Sequence, residues 1–583
     1  MQLFVFIFAL GEWCWCGVYL SLPVREYLCT VYQLLTMIRI FCKNNGTTKE
    51  FPCGVSLREI YDGMKLDMPY GVIAARVNNV TEGLAMRLYR HKDVEFIDVR
   101  SDDGMRMYVR SLTFIFMKAM NEVFPGEMVR FENAISKGYY CRMDKPIGSE
   151  QLELVREKMR LIVNSDIPFK RVECHTADAI EIFERVGRPD KVRLLKTYDR
   201  LYTSYYELDG YVDSYYNGLV PSTGYITLFE VEAYDDGVLL RVPNKEKPTE
   251  LEDKVPQDKL HELFEERLQW HQKMGVETIG DFNMGVRAGF GIDLVNVSEV
   301  LQERRLSQIA DQVQQRGARV VLIAGPSSSG KTTFSKRLSI QLLACGLKPY
   351  AISLDDYFVN RTLTPRKPDG DYDFESIYSI DLPFFNESLQ RILAGEEVDV
   401  PTYNFKTGER EFNGKRLKLT PQMVLVIEGT HALNPMLTSQ IPDSDKFRIY
   451  VSALTSIKLD NHNYISTSDN RLLRRMIRDA KYRGYSARET IMRWPDVRRG
   501  EEKWIFPCQE NADVMFNSSL FYELAVFKSQ AEPMLHAVPE NVPEYSEAQR
   551  LLRFLDYIVP LQDKELPPTS LAREFLGGSS FKY

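Results

Sequence analysis

The chain has 583 residues, which at roughly 100–200 residues per domain predicts about three to five domains. It carries 74 Lys+Arg against 81 Asp+Glu, a formal charge of −7, with 44% hydrophobic and 27% charged residues. That make-up is of the ordinary globular kind, excludes collagen-like, disordered and multi-span membrane chains, and argues against a constitutive nucleic-acid coat while leaving room for a local basic patch.

The first 20 residues, MQLFVFIFALGEWCWCGVYL, depart from that average: 16 are apolar and Glu12 is the one charge. Arg25 is the first basic residue, so the basic n-region of a secretory signal is missing. The run barely reaches the roughly 20 residues of a transmembrane helix. A superfluous or mis-called extension over residues 1–36, an anchor and a buried element all remain open, and the first is the expectation. Of nine Cys, Cys14, Cys16 and Cys29 fall here; Cys42, Cys53, Cys141, Cys174, Cys345 and Cys508 are scattered, with no CxxC and no His at metal spacing. Reduced thiols and a cytoplasmic location are expected, with no membrane contact.

From Met37, RIF and EFP flank NNGTT as a hairpin, and GVSLREIYDGM sets Val55, Ile60 and Met64 at helical spacing. IAARVNN and VEFIDVR read as further strands before Ser-Asp-Asp-Gly, so 37–100 is expected to be a small β-rich unit with one helix. From about 108 a helix gathers Leu112, Ile115, Phe116, Ala119 and Val123 on one face and stops at Pro125-Gly126. Helices are predicted at 149–163 and 176–187, and strands in the Tyr-rich stretch 200–240. VPNKEKPTELEDKVP (242–256) reads as a linker and 257–317 as a helical connector. Beyond it short strands alternate with helices, the signature of an α/β domain on a parallel sheet. Residues 526–583 read as a helical tail with a Gly-Ser end.

ARVVLIA is a buried-strand run followed by Gly325-Pro326-Ser327-Ser328-Ser329-Gly330-Lys331-Thr332-Thr333 and a helix with Phe334, Leu338 and Leu342 on one face. This is GxxxxGK[ST] in its strand–loop–helix setting: backbone N–H groups wrap phosphates, Lys331 reaches the β/γ-phosphates and Thr332 can ligate Mg²⁺. No base-reading NKxD follows it, which argues against a GTPase. MVLVIEG ends on Glu428, placed to hold Mg²⁺ or its water beside Thr332. PYAISL ends at Asp355-Asp356-Tyr357-Phe358, where a carboxylate could take a proton from an attacking hydroxyl; a capping or solvated acid is an equal reading of that position. The segment 471–503 holds eleven Lys+Arg against five acids, a net of +6 in a −7 chain.

GPSSSGKTT, SLDDYF, DYDFES, VPTYNF, VIEG and RLLRRMIRDAKYRGYS together resemble the uridine kinase/phosphoribulokinase-like kinases over about 318–525. The resemblance implies an ATP- and Mg²⁺-dependent transfer of the γ-phosphoryl to a hydroxyl of a small ribose-containing metabolite. It makes Asp355 the general base, places Asp373 on the ribose hydroxyls and has Tyr357 and Tyr403 flank the base pocket. Arg474, Arg475, Arg478 and Arg483 resemble the family's lid arginines, Arg475 on the substrate side and Arg478 and Arg483 on ATP. Two departures touch base recognition: Lys406-Thr407-Gly408 follows Tyr403-Asn404-Phe405 where the uridine kinases place a His, and the lid reads Arg483-Gly484-Tyr485. Kinase is therefore better supported than uridine as acceptor, and phosphoribulokinase proper stays open.

Residues 37–100 resemble a TGS domain. Residues 101–241, through AMNEVFPGEMVRFENAISKGYYCRM, HTADAIEIFERVGRPDKVRLL and GYVDSYYNGLVPSTGYITLFEV, resemble the editing-type domain of threonyl-tRNA synthetases. That family's two His, Cys and His fall at Phe114, Lys118, Tyr215 and Leu219, none of which can do their chemistry, so deacylation is not expected. The expected architecture is multidomain: a β-grasp-like TGS unit, an α+β synthetase-like unit, a linker and connector over 242–317, an α/β P-loop domain and a tail. An RNA- or tRNA-binding module that uses ATP as a switch is the alternative function, and a homo-oligomer is open.

Overall fold

The computed structural model describes residues 37–368 and 370–582; the apolar start and its three cysteines lie outside them. The first unit is a mixed five-stranded sheet in the spatial order Thr47–Pro52, Met37–Cys42, Lys92–Ile97, Ala74–Val77, Val80–Gly83. Its central pair is parallel and the others antiparallel, the arrangement of a β-grasp sheet. Ile38, Ile40 and Cys42 alternate inward along the first strand, as period-two patterning requires. The helix Leu57–Met64 covers that face, opened by a reciprocal cap between Ser56 and Glu59.

The second unit is built on the helix Asp102–Val123, which starts six residues before the periodicity suggests. The reason is chemical: Ser101 Oγ accepts from Gly104 N, and Asp102 and Asp103 sit in the first turn, so Ser-Asp-Asp-Gly caps a helix with the residue types that elsewhere make a turn. Gly104 is required there, since a Cβ would lie 2.0 Å from the Asp98 carbonyl oxygen. An antiparallel sheet runs Glu230–Tyr234, Gly237–Arg241, Gly138–Met143, Val129–Ile135, and a smaller one joins Lys170–His175, Tyr202–Leu208 and Tyr211–Asp213. Helices Asp258–Met274, Ile279–Arg287 and Gly291–Arg316 then lead to the third unit.

That unit is a five-stranded parallel sheet ordered Lys348–Ser353, Met423–Glu428, Val320–Ala324, Lys446–Ser452, Val514–Asn517. The strand preceding the phosphate loop is central, and all five of its residues are buried. In such a sheet ligands gather beyond the carboxyl ends of the strands.

The segment read as a tail over 526–583 is not detached, as its described residues 526–582 show. Helices Glu523–His536, Glu544–Leu555 and Arg573–Leu576 share one core with Leu472, Met476, Ile477 and Trp494 of the basic segment. They also reach the N-terminal half, through Arg106–Glu547 at 3.0 Å and the amide of Asn79 donating to the Glu540 carbonyl at 2.9 Å. The polar, Gly-Ser-ending surface read from the sequence hides a buried stripe of Leu571, Ala572, Phe575 and Leu576. Among the described residues no helix is long and apolar enough to cross a membrane, and the six cysteines there are unbridged.

Candidate nucleotide and phosphoryl-acceptor site

The phosphate loop leaves the central strand at Gly325, where a Cβ would lie 2.1 Å from the Val451 carbonyl oxygen. It turns through positive φ at Ser328 and Gly330 and enters the helix Lys331–Ala344. Lys331 folds back over the loop, its Nζ donating to Gly325 O at 2.9 Å and Pro326 O at 3.2 Å. Burial lowers its ammonium below the usual lysine value, while Glu428, Asp355 and Glu574 act to hold the charge on. Thr332 Oγ1 lies 3.4 Å from Glu428 Oε1. Burial pushes the Glu428 carboxyl up to about 7 against the pull of Lys331.

Asp355 stands at the end of the neighbouring strand Lys348–Ser353, its N–H 3.4 Å from Ser353 Oγ. Its side chain reaches solvent at the cleft. The low-dielectric walls around it raise its carboxyl above the ordinary aspartate value, with Lys331 opposing and Asp356 adding to the rise. Lys331, Thr332, Asp355 and Glu428 thus meet at one end of the sheet.

The basic segment folds as the helices Thr467–Tyr482 and Ala487–Trp504, and its arginines divide into two sets. Arg471 and Arg474 are buried beneath the loop. Arg471 Nε donates to Ser327 O at 2.9 Å and its guanidinium pairs with Glu501. Arg474 reaches Ser328 O at 3.3 Å and Glu523 at 2.5 Å. Arg474 is therefore a buried structural tie beneath the loop. Arg475, Arg478 and Arg483 form the other set, at 3.3, 3.7 and 3.2 Å from Asp479. Arg475 also donates to Ser327 Oγ at 2.9 Å. Burial, followed by the neighbouring Arg483, lowers the Arg478 guanidinium to about 10. Asp479 was missed in the sequence, where one acid inside a basic run reads as a solvated counter-charge.

Asp373 lies in the loop tied by its N–H to Pro365 O at 2.7 Å. Tyr403 packs edge-on against Phe358 and Phe405, at 5.6 and 5.1 Å between ring centres, and its N–H donates to Asp356 at 3.1 Å. Tyr357 is not beside it. Only 1% exposed, it packs edge-on to Phe385 at 5.0 Å in the core, because the 3₁₀ turn Leu354–Tyr357 rotates its side chain inward. At Gly408 the Arg361 side chain lies against the open face, 2.7 Å from where a Cβ would be, and Tyr485 carries the Arg493 guanidinium at 4.3 Å. Glu375 was also missed: burial pushes it up to about 7 with Arg475 opposing, and it packs where Gly500 leaves room for it.

In the synthetase-like unit the corresponding places are taken by packed and ion-paired side chains. Phe114 stacks on Phe169 at 5.6 Å and tilts against Tyr215 at 5.6 Å. Leu219 lies in the same core, and Lys118 is paired with Glu122 and Asp209.

Comparisons with known proteins divide along the same line. Residues 320–521 match the family model described as the Phosphoribulokinase / Uridine kinase family. A threonine–tRNA ligase of Thermoplasma acidophilum is 26% identical over 256 residues, 42% of this chain and 38% of that protein. One from Desulforamulus reducens is 28% identical over 191 residues, 32% of this chain and 30% of that one. The chain thus spans about a third of the length of these curated relatives. Among solved structures, a possible uridine kinase from Bacillus stearothermophilus aligns at 19% identity and TM-score 0.26 over 37% of this chain and 98% of that one. D-glycerate 3-kinase from Cryptococcus neoformans aligns at 15% identity and TM-score 0.21 over 48% of this chain and 90% of that one.

Proposed function

We propose that the protein is an ATP- and Mg²⁺-dependent kinase that phosphorylates a hydroxyl of a nucleoside or a related small ribose-containing metabolite, in the cytoplasm. One observation carries this reading: a phosphate-loop lysine, a Thr–carboxylate pair and a cleft aspartate stand together at the carboxyl end of one parallel sheet. The loop suits a polyphosphate, because among the described residues the buried hydroxyls of Ser328 and Ser329 have no hydrogen-bond partner. Thr332 and Glu428 offer hard oxygen ligands of the kind Mg²⁺ takes, one or two protein groups with water completing the shell. Mg²⁺ bound there would neutralise charge on the phosphates.

Within that frame Asp355 accepts the proton of the acceptor hydroxyl, an assignment favoured by its raised carboxyl and cleft position. Lys331 and the Arg475–Arg478–Arg483 set spread positive charge over the transferring group. Tyr403, Phe358 and Phe405 offer an aromatic wall for a flat ring, and Asp373 the acceptor for ribose hydroxyls.

The test is a screen of nucleosides and sugar phosphates with the full chain, ATP and Mg²⁺. Stoichiometric ADP release with one acceptor supports the reading; no acceptor-stimulated turnover sinks it. Asp355→Asn should lower turnover at least about 100-fold while leaving ATP affinity within about threefold. Full turnover in that variant removes the base assignment.

A second reading, contact of the N-terminal half with RNA, is favoured by a cavity of about 580 Å³ lined by Arg39, Lys43, His91 and Lys92 beside Glu540. Salt-dependent retention of tRNA by the full chain supports it, and no retention at low salt removes it.

A further inference from the structure

The C-terminal segment ends on the phosphate loop. Glu574 Oε2 accepts from Thr333 Oγ1 at 2.6 Å and from Thr333 N–H at 3.2 Å. Leu571 fills the open side of Gly330, its Cδ2 2.7 Å from where a Cβ would stand. The segment is fixed from several directions: Tyr522 Oη meets Ser570 Oγ at 3.1 Å, Arg474 lies over the Phe575 ring at 5.1 Å, and Lys481 Nζ donates to Leu576 O.

The chemistry of that carboxylate is unusual for this core. Thr333 sits in the first turn of the loop's helix, where backbone N–H groups lack intrahelical partners and the dipole favours an anion. Those donors belong to the set that wraps phosphates in a GxxxxGK[ST] loop. At the other end of the loop Glu501 accepts from Ser327 N–H at 2.9 Å, but it is neutralised by Arg471 and Arg498. Glu574 is 7% exposed, and among the described residues no cation lies within ion-pair distance of it. Its compensation comes from the donors an incoming phosphate needs.

We propose that Ser570–Leu576 is an autoinhibitory plug: Glu574 stands in for a nucleotide phosphate, and nucleotide enters only when the segment withdraws. Phosphate and carboxylate are both anions and compete for the Thr333 donors, so occupancy is exclusive. Lys481 belongs to the helix Thr467–Tyr482 that carries the Arg475–Arg478 set, so movement of that helix and release of Leu576 are mechanically joined. The proposal rests on the loop binding nucleotide, and its test reads binding rather than phosphoryl transfer.

The experiment is a titration of the full chain with a fluorescent ATP analogue and Mg²⁺, comparing wild type with Glu574→Gln, which keeps the shape and removes the charge. The expected result is at least tenfold tighter binding by E574Q. Lys481→Met, which loosens the clasp without touching the loop, should shift affinity the same way. In the wild type, saturating nucleotide should accelerate tryptic cleavage after Arg573. Unchanged or weaker binding by both variants, with cleavage indifferent to nucleotide, overturns the plug and leaves the kinase reading standing. Binding by none of the proteins overturns both. Should E574Q fail to fold, the Lys481 variant and the wild-type cleavage assay decide alone.

Discussion

Asp479 does more for the candidate site than its place in a basic run suggests. At 2% exposure it collects Arg475, Arg478 and Arg483 within 3.3, 3.7 and 3.2 Å, and three mutually repelling guanidiniums stay on one side of the loop because of it. Replacing it with Asn keeps the size and removes the counter-charge. Asp479→Asn should therefore lower turnover by about 10–100-fold, on the scale of misplacing a donor that stabilises developing charge. Steady-state assay with the acceptor found by screening checks this; turnover within twofold of wild type would show that the arginines orient themselves. At this scale the sequence brings candidates together where chemistry fixes both residue type and spacing: the loop Gly325–Thr333, Asp355 and Glu428 meet at one end of the sheet. It fails where a role depends on which way a turn points. Tyr357 follows two acids at a strand end and looks like a cleft residue, yet one 3₁₀ turn puts it in the core. Glu574 lies 241 residues beyond Thr333, and no local pattern announces that contact.

Among the elements, the helix Asp258–Met274 shows how a connector becomes part of the P-loop half. His271, buried near its end, bonds the Val276 carbonyl through Nδ1 at 2.8 Å and meets Ser456 Oγ through Nε2 at 2.8 Å. Burial lowers its imidazole to about 4, so the folded protein keeps it neutral. The unfolded chain, with an ordinary imidazole, takes up a proton at higher pH than the folded one. Stability from this group is therefore fully present above about pH 6.5 and declines as pH falls towards 4, by up to about 3 kcal/mol. His431, likewise lowered to about 4 by burial, acts in the same window. Glu375 and Glu428, both raised to about 7, gain stability over the same fall in pH and offset that loss. The His271 contribution is therefore read as the difference between wild type and His271→Asn in urea melts from pH 7 to 4. The variant should gain on the wild type as pH falls, and an unchanged difference would move the effect elsewhere. Elements with strong periodicity, such as the first hairpin and the strand Val320–Ala324, are legible in sequence because burial of one or both faces dictates their residues. The helix start at Asp102 is not, since Ser and Asp serve caps and turns alike.

At the scale of the whole molecule, the synthetase-like and P-loop units are joined by the hairpin Lys458–Tyr464, which precedes the helix carrying the arginines. Phe131 N–H donates to Asn461 O at 2.7 Å, Lys191 bridges Asp213 and Asp460 at 2.6 and 3.1 Å, and His462 meets Asp213 at 2.5 Å. Lys458 Nζ lies 2.7 Å from Glu132, both essentially buried. Burial works against the Glu132 charge, but Lys458 and Arg142 outweigh it and hold the carboxyl below the usual glutamate range. Sequence reading divides the chain at 242–256 and misses this joint, because each of its members is an ordinary charge until the two units meet. Removing Lys458 leaves the buried Glu132 carboxylate with Arg142 at 3.1 Å, so the cost falls below the roughly 3–5 kcal/mol of a wholly stranded charge. Lys458→Met should therefore lower stability by about 1–3 kcal/mol, and because the loss falls on the joint, a single unfolding transition should split into two. Adding Glu132→Leu removes the under-paired carboxylate, while Arg142 keeps Glu277 at 3.6 Å, and should restore part of the loss, since an apolar pair of similar volume does not carry the desolvation penalty. Calorimetry of the three proteins checks the order wild type, double variant, single variant. A single variant that melts with wild type in one transition would show that the two units are held together by their apolar contacts, with the buried charges bystanders.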